Sequence, residues 1–431
     1  MKPAANGHGA AGAHLTEVSI YGWRAVRYAQ VQMKILWVGP QFLHPTTKGG
    51  HIRTLEMLRH LHRWHEIHYL ALEKPEESEG VRRSPEYSTR AYPIPLLVPV
   101  KGTPAFLAQA ARNVLSPFPL AVSRYRSPAM RRKIEELLAK EKFDRMVCDF
   151  LSPAPNIPDL ARCVLFQHNV EAMIWKRHYE TATNPFWRVL FRTQSRRMLA
   201  YEGAVCRSVA SVIAVSEKDA QTMRALYGIT RVGHVPTGVD IGYFTPAEVK
   251  TAADLVFVGS MDWMPNIEGI TWFLNEVLPL MRRGKPDCTV SIVGRTPPAS
   301  LSALAGTIQG VEVTGTVPDI RPYLWGSRVS IVPLRIGGGT RLKIFESMAA
   351  KVPVVSTTIG AEGLPVNSSR DIFIADTPED FARRCLDLLG NEPLRNQMAQ
   401  RAWDLVSANF SWERASRSFE DLLLAAPALN G

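Results

Sequence analysis

Residues 329–346 read Val-Ser-Ile-Val-Pro-Leu-Arg-Ile-Gly-Gly-Gly-Thr-Arg-Leu-Lys-Ile-Phe-Glu, an apolar run followed by three glycines and a helical pattern. The apolar run is typical of a buried strand in a parallel sheet. The glycines let the backbone approach a ligand closely, and a helix that starts near Thr340 offers free N–H groups and its positive dipole end. The stretch therefore predicts an α/β fold that binds a diphosphate at this loop.

Charged side chains in the same stretch extend this prediction. Arg341 and Lys343 place positive charge at the helix start, and Glu346 follows three residues after Lys343 on the same helical face. We interpret them as a phosphate site with a carboxylate beside it for ligand hydroxyl groups. The alternative is an ordinary i,i+3 ion pair on a solvated helix, which contributes only ~0.2–0.5 kcal/mol.

Strand-like and helical patterns alternate on both sides of this stretch. The first half has strand patterns at 34–40, 66–72, 145–150, 163–169 and 211–216, and the second half at 254–260, 289–294, 311–315, 329–334, 352–357 and 371–376. Helical patterns fill the gaps, for example at 128–141 and, most weakly, at 301–310. An alternation of this kind is characteristic of parallel α/β sheets.

Four segments follow from the alternation. Residues 1–32 have neither a sustained period nor the apolar core of a secretory signal, so we expect a disordered extension. A link punctuated by Pro and Gly separates a first α/β domain at 33–244 from a second at 245–408. The closing helical patterns exceed what one domain needs, which leaves a helix within 409–431 able to cross back onto the first domain.

Bulk composition restricts the class of protein. The chain has 431 residues, 46% hydrophobic and 21% charged, as in soluble globular proteins. No stretch is apolar enough to span a membrane. Five scattered cysteines suggest neither a disulfide framework nor a zinc ribbon and favour the reducing cytoplasm. Six histidines between residues 44 and 68 lack the spacing of a metal site, so no metal is expected.

The positive charge is concentrated in the first half. Residues 1–250 hold 34 Lys and Arg against 21 Asp and Glu, whereas the remainder holds 17 against 19. A basic surface can attract nucleic acid, an anionic lipid surface or an acidic acceptor, or it can simply be solvated. The sequence has no aromatic-interleaved nucleic-acid motif, so we expect no nucleic-acid partner and keep a peripheral membrane contact open.

Further motifs accompany the glycine stretch. In chain order they are Lys48-Gly49-Gly50-His51-Ile52-Arg53, Gln167-His168-Asn169-Val170-Glu171, Val215-Ser216-Glu217, residues 235–240, Gly259-Ser260-Met261-Asp262, Val293-Gly294, Gly315-Thr316-Val317-Pro318-Asp319 and residues 358–363. With these motifs, most of 33–419 resembles the retaining GT-B glycosyltransferases of the family that includes sucrose synthase and bacterial mannosyltransferases. The resemblance implies an α/β fold with two facing Rossmann-like domains and an interdomain cleft.

The resemblance also implies roles for individual residues. Glu346 would bind the ribose of the nucleotide, Arg341 and Lys343 its diphosphate, and His168 would act at the reacting sugar. The other residues implied in donor binding are Gly49 and Gly50 near the phosphate, Gly294, Val317 and Asp319 around the base, and Gly337, Gly338, Gly339, Thr340 and Leu342 in the glycine stretch.

One position departs from the family pattern. The family has two glutamates separated by seven intervening residues, and in this chain the first of them is replaced by Gly338. The missing carboxylate usually contacts the donor sugar, so the sugar cannot be assigned. The segment from Gly259 to Asp262 also lacks the usual nearby basic residue, a charge that Arg341 and Lys343 would supply.

The implied activity is transfer of a hexose from a nucleotide diphosphate sugar to a hydroxyl acceptor. The acceptor would be a glycan or lipid-linked, in polysaccharide or glycolipid assembly on the cytoplasmic side of the inner membrane. Because the sequence has no Asp-x-Asp triplet, we expect transfer without a metal or other cofactor, and the resemblance implies retention of configuration. Two alternatives stay open: a non-catalytic nucleotide-sugar-binding protein, suggested by Gly338, and a nucleotide-sugar epimerase of the same architecture.

Overall fold

A computed structural model describes residues 18–20, 23–25, 32–46, 49–73, 78–96, 103–104, 108, 116–182, 184–336 and 342–429. Two parallel sheets carry the fold, one in each half of the chain, with helices on both faces. This arrangement confirms the α/β architecture predicted from the alternating patterns.

A short antiparallel pair lies within the segment expected to be disordered. Strand β1 (Val18–Ile20) pairs with β2 (Trp23–Ala25), with Ile20 opposite Trp23. These six residues of the predicted extension are thus in strands, and their β-branched and aromatic members favour extended backbone. The rest of 1–31 lies outside the described residues.

Seven parallel strands form the first sheet. In spatial order they are β5 (Arg90–Pro95), β4 (Glu66–Glu73), β3 (Lys34–Gly39), β6 (Arg145–Asp149), β7 (Val164–Gln167), β8 (Ser211–Ala214) and β9 (Val232–His234). Residues 35–38 in β3 are fully buried, as expected of a central strand covered on both faces.

The helices of this half begin and end at local sequence signals. They are α1 (Gly49–Leu61), α2 (Ser78–Arg82), α3 (Leu120–Ser123), α4 (Pro128–Lys140), α5 (Glu171–Thr181), α6 (Pro185–Ser208), α7 (Glu217–Tyr227) and α8 (Ile241–Phe244), with 3-10 turns at Ser84–Glu86, Ala154–Asn156 and Leu160–Arg162. The Ser127 hydroxyl caps α4, which starts with a proline, and Ser216 caps α7. Gly228, with φ of 66°, ends α7 in the left-handed conformation.

Six parallel strands form the second sheet, in the order β12 (Val311–Gly315), β11 (Val290–Val293), β10 (Ala253–Val258), β13 (Ser327–Val332), β14 (Val354–Ser356) and β15 (Phe373–Ile374). Its helices are α9 (Met264–Trp272), which continues through a π-turn (Phe273–Val277) into α10 (Leu278–Gly284), then α11 (Ala299–Gly306), α12 (Arg321–Trp325), α13 (Leu342–Ala349), α14 (Pro378–Gly390) and α15 (Glu392–Asn409). Every predicted strand is present. The weakest predicted helix, at 301–310, starts and ends earlier, as α11.

The last helix, α16 (Trp412–Ala425), packs on the first sheet although it follows the second domain in the chain. The ring of Phe419 lies 5.5 Å from that of Trp37 and 5.0 Å from that of Phe166. Arg145 donates to the carbonyl of Leu423 at 2.7 Å. The chain therefore connects the two halves twice, before β10 and again before α16.

Among the residues that the structure describes, no helix has both the length and the apolar character needed to cross a bilayer.

Candidate active site

Loops at the carboxyl ends of both sheets meet in an interdomain cleft. A Cβ atom added to Gly49, the first residue of α1, would lie 3.5 Å from Cδ1 of Leu342, the first residue of α13. Arg177 and Glu362 form a second contact between the halves at 3.7 Å. The glycine pair of the first domain thus faces the helix that follows the glycine stretch of the second. Ligands of open α/β sheets bind at such an edge.

His168 lies directly after β7 on the first-domain side of the cleft. Its Nε2 donates to Oδ1 of Asp149 at 2.7 Å, and the buried carboxylate of Asp149 also accepts from the Thr54 hydroxyl at 2.9 Å. Burial lowers the pKa of His168, against the opposing attraction of Asp149. The ring is therefore held neutral, with Nδ1 as the free acceptor. Among the described residues, Nδ1 has no hydrogen-bond partner.

Phe150 covers the His168 ring. The two rings stack at 3.8 Å, and His168 is only 2% exposed. Phe150 takes a positive φ of 66°, an uncommon conformation for a bulky residue. A Cβ on Gly50 would approach the Phe150 ring to 2.7 Å, so a larger residue here would displace the ring that covers His168. A direct contact between His168 and a sugar requires the Phe150 ring to move aside.

Lys343 and Glu346 lie on α13, on the second-domain side. Nζ of Lys343 donates to Oδ1 of Asn266 at 2.7 Å and lies 4.6 Å from the centroid of the Phe257 ring. The Lys343 side chain therefore leaves α13 and places its ammonium group at the carboxyl end of β10. Burial raises the pKa of Glu346 to about 7, against the opposing effect of Lys343. Gly337, Gly338, Gly339, Thr340 and Arg341 lie outside the described residues.

The residues expected around the base lie on neighbouring loops. A Cβ on Gly294 would lie 1.8 Å from the carbonyl oxygen of Gly259, so Gly294 allows two loops to touch. Val317 packs on the apolar core. Both carboxylate oxygens of Asp319 accept from Arg321, and the Arg321 guanidinium lies 3.9 Å from the ring centroid of Tyr243.

The loop after β10 has basic partners that the local sequence did not reveal. Arg295 donates to the Ser260 hydroxyl at 2.7 Å and pairs with Asp262 at 3.0 Å. Lys343 approaches the same loop, since a Cβ on Gly259 would lie 2.9 Å from its Nζ. The basic residue missing from the loop itself is therefore supplied by the end of β11 and by α13. This part of the site depends on strand order rather than on adjacent sequence.

A cavity of about 430 Å³ lies between the two domains. Arg53 lines it with a side chain that is only 1% exposed, and its Nη1 makes a long bond of 3.4 Å to the carbonyl of Val235. Among the described residues, Nε of Arg53 and Oγ1 of Thr237 have no partner. Burial lowers the pKa of Arg53 to about 9, against the attraction of Asp219. A buried cation with unused donors favours an anionic ligand.

A second cavity of about 220 Å³ lies within the first domain, beside Gly50 and Phe150. Arg124 and Glu171 are among its polar lining residues, and Met198 on α6 closes one side. Burial and the neighbouring Glu202 raise the pKa of Glu171 to about 7. A carboxyl group and a guanidinium in one cavity suit a ligand that carries hydroxyl and anionic groups.

Glu202 holds the loop that carries His168. The fully buried Glu202 carboxylate accepts from the backbone N–H groups of Glu171 and Ala172, from the Gln167 side chain and from the Tyr227 hydroxyl, at 2.7 to 3.0 Å. A carboxylate at the start of α5 also compensates the helix dipole. Glu202 therefore ties the start of α5 to the carboxyl end of β7.

One group among the described residues has the spacing of metal ligands, Glu66, His68 and Glu141. It belongs to the beginning of β4 and the end of α4, away from the cleft. Both carboxylates pair with Lys34. The ammonium group supplies the positive charge there, so we assign this cluster no ligand.

Comparisons with known proteins follow the same division of the chain. Residues 47–243 match the family model described as Glycosyltransferase Family 4, and residues 252–391 match the one described as Glycosyl transferases group 1. Together the two models cover most of the chain.

A full-length relative is an uncharacterized 44.6 kDa protein in the cps region of Klebsiella pneumoniae, 21% identical over 89% of this chain and 98% of the relative. A GDP-mannose-dependent monoacylated alpha-(1-6)-phosphatidylinositol monomannoside mannosyltransferase of Corynebacterium glutamicum is 25% identical over 45% of this chain and 56% of its own. Among solved structures, HepE of Anabaena in complex with UDP and glucose has a TM-score of 0.65 at 12% identity, covering 91% of this chain and all of HepE. At this identity the HepE likeness concerns the fold.

Proposed function

The chain belongs to the glycosyltransferases with a Family 4 domain followed by a group 1 domain and has the GT-B fold, and we propose a separate role in sugar transfer for each domain. The second domain holds the nucleotide diphosphate sugar through Lys343, Glu346 and the glycine stretch. The first domain presents a glycan or lipid-linked acceptor. Transfer of the sugar to an acceptor hydroxyl takes place in the cleft.

The contact between the start of α1 and the start of α13 is the observation that carries this assignment. Gly50 lies beside Nδ1 of His168, which a Cβ at Gly50 would approach to 3.5 Å, and its neighbour Gly49 lies against Leu342. Lys343 follows immediately. The neutral histidine, the close backbone approach and the cation thus occupy one continuous part of the cleft. A diphosphate at Lys343 would place its attached sugar toward His168.

We propose that transfer uses no metal ion. The motivation lies in the sequence, which has no Asp-x-Asp triplet to hold a cation against the diphosphate. Lys343 is preoriented by its bond to Asn266, and the sequence adds the charge of Arg341 two residues earlier. Fixed donors and charges can stabilise the negative charge that develops on a leaving phosphate.

His168 would act as a hydrogen-bond acceptor at the donor sugar. Asp149 fixes the proton on Nε2, which leaves the Nδ1 lone pair for a sugar hydroxyl once Phe150 has moved aside. The departing phosphate would take the acceptor proton on the same face of the sugar, so the anomeric configuration would be retained. This last step rests on the family resemblance.

The cytoplasmic side of a membrane is the setting that we propose. The excess of positive charge in residues 1–250 suits an anionic lipid surface. The Corynebacterium relative is named for a phosphatidylinositol-linked acceptor, which is consistent with a lipid-linked substrate for this chain as well.

A donor screen tests the proposal. The purified chain is incubated with UDP-, GDP- and ADP-sugars and a membrane lipid extract, with and without excess EDTA, and the product anomer is determined by proton NMR. We expect transfer from one donor class, unaffected by EDTA, with retention. Activity lost in EDTA and restored by magnesium would refute the metal-free step, and an inverted anomer would refute retention. Donor conversion without an acceptor would indicate an epimerase, and tight donor binding without turnover a non-catalytic protein.

A further inference from the structure

The outer face of α6 carries a concentration of exposed apolar side chains. Of the nine large hydrophobic residues exposed within the described part of the chain, four lie on this helix. Phe186 is 70% exposed, Val189 68%, Trp187 49% and Leu199 44%. Exposed apolar groups gathered on one element mark an interaction surface more often than isolated ones do.

Arginines line the same face. Arg188, Arg192 and Arg196 are all exposed and follow one another at intervals of four residues, so they project from one side of the helix. The sequence between Glu180 and Glu202 contains no Asp or Glu. Among the described residues, no carboxylate lies within ion-pair distance of Arg192 or Arg196. The face is therefore both apolar and positively charged, and these charges are available to an external anion.

The position of α6 places this face beside the cleft. The helix ends at Ser208, just before β8, and Glu202 contacts the carboxyl end of β7 through Gln167. The 18 residues from Pro185 to Glu202 therefore form about 25 Å of helix, at 1.5 Å per residue, that leads away from this edge of the sheet. Helix α5 runs back along this extension. Stacking of Trp187 on Phe191, with ring centroids 5.9 Å apart, helps to order the tip.

We propose that the outer face of α6 docks the enzyme on an anionic lipid bilayer. Phe186 and Val189 would enter the interfacial layer while the arginines contact lipid phosphates. Interfacial helices commonly bind membranes through apolar and basic side chains in this way. Met198, on the buried side of the same helix, lines the first-domain cavity, so docking would place that cavity behind α6, one helix away from the membrane surface. The docking surface specifies the membrane setting proposed above, and the link to a lipid-linked acceptor rests on the proposed function.

Charge and shape favour a membrane over a second copy of the chain. A two-fold dimer through this face would place each row of arginines against the same row of its partner, which is repulsive. Nucleic acid would satisfy the arginines but would leave the Phe186 and Val189 side chains without an apolar environment. An anionic bilayer satisfies both groups at once.

Vesicle sedimentation of the full chain tests the proposal. Vesicles of phosphatidylcholine alone are compared with vesicles containing 30% phosphatidylglycerol. The test variants are Arg188→Glu/Arg192→Glu/Arg196→Glu and Phe186→Ser/Val189→Ser. The control is Lys250→Glu/Arg283→Glu/Arg401→Glu, which changes three exposed cations outside α6 by the same total charge.

We expect the chain to bind only the anionic vesicles, with at least tenfold weaker binding in both α6 variants and little change in the control. Equal loss in the control, or unchanged binding in the α6 variants, would overturn the proposal. So would light scattering that shows a dimer disrupted by the α6 substitutions, or tighter binding to a duplex oligonucleotide than to the vesicles. Calorimetry of nucleotide binding separates the two proposals. If the unmodified protein binds no nucleotide, the proposed donor site is wrong. If it binds nucleotide but not the anionic vesicles, only the proposal for α6 is wrong.

Discussion

Replacing Glu346 with glutamine should stabilise the fold above neutral pH while weakening nucleotide binding. Burial raises the pKa of this carboxyl from 4.5 to about 7, so the folded protein above pH 7 carries a charge that its surroundings disfavour. The difference corresponds to ~3 kcal/mol, and solvent contact of the partly exposed side chain reduces the penalty to ~1–2 kcal/mol. A residue that lowers the free energy of unfolding is often one that the protein needs for binding.

The pH dependence follows from the direction of the shift. Above about pH 7 the carboxyl is ionised in both folded and unfolded chains, so the destabilisation is complete. It decreases as the pH falls and vanishes below 4.5, where both states are protonated. Glu346→Gln should therefore raise the melting temperature by ~2–6 °C at pH 8 and leave it nearly unchanged at pH 4.5.

Nucleotide affinity should change in the opposite direction. A charged hydrogen bond to ribose hydroxyls contributes ~1.5–3 kcal/mol, so Glu346→Gln should weaken binding about 10- to 150-fold at pH 8. Thermal scans at both pH values and titration calorimetry with the preferred nucleoside diphosphate measure the two effects. Glu312→Gln, at an exposed position on β12, is the matched control and should change neither. A destabilised Glu346→Gln variant, or one with unchanged affinity, would refute the reasoning.

Three further predictions concern residues around the cleft. Lys343→Ala should weaken binding of the nucleoside diphosphate at least tenfold but leave binding of the nucleoside nearly unchanged, as calorimetry with both ligands would show, because its charge acts on phosphate. Asp149→Asn should lower kcat at least tenfold with little change in nucleotide affinity, since a carboxylate can only accept whereas an amide can also donate and no longer fixes the proton on Nε2 of His168; unchanged steady-state kinetics would contradict this. Glu202→Ala should destabilise the chain by ~3–5 kcal/mol in urea unfolding, because it leaves four donors without an acceptor, three of them in buried hydrogen bonds, whereas a loss below ~1 kcal/mol would indicate that water replaces the carboxylate.

Local patterns in the sequence were enough to establish the α/β fold and the family. Apolar runs in strands such as β3 and β13, helix caps and glycine punctuation all act over a few residues, so they can be recognised before the chain is folded. The order of the motifs carried the resemblance to glycosyltransferases, which the two family models confirm. The sequence also singled out Lys343, Glu346 and His168, and their roles stay predictions.

Contacts between distant parts of the chain were decided only by the tertiary structure. Lys343 reaches Asn266 because β10 and β13 are neighbours in the sheet, and Arg295 reaches Ser260 because β11 lies on the other side of β10. The cover of Phe150 over His168 depends in the same way on the pairing of β6 with β7. Strand order is set by how the whole chain buries its apolar faces, a global balance that no local window of sequence contains.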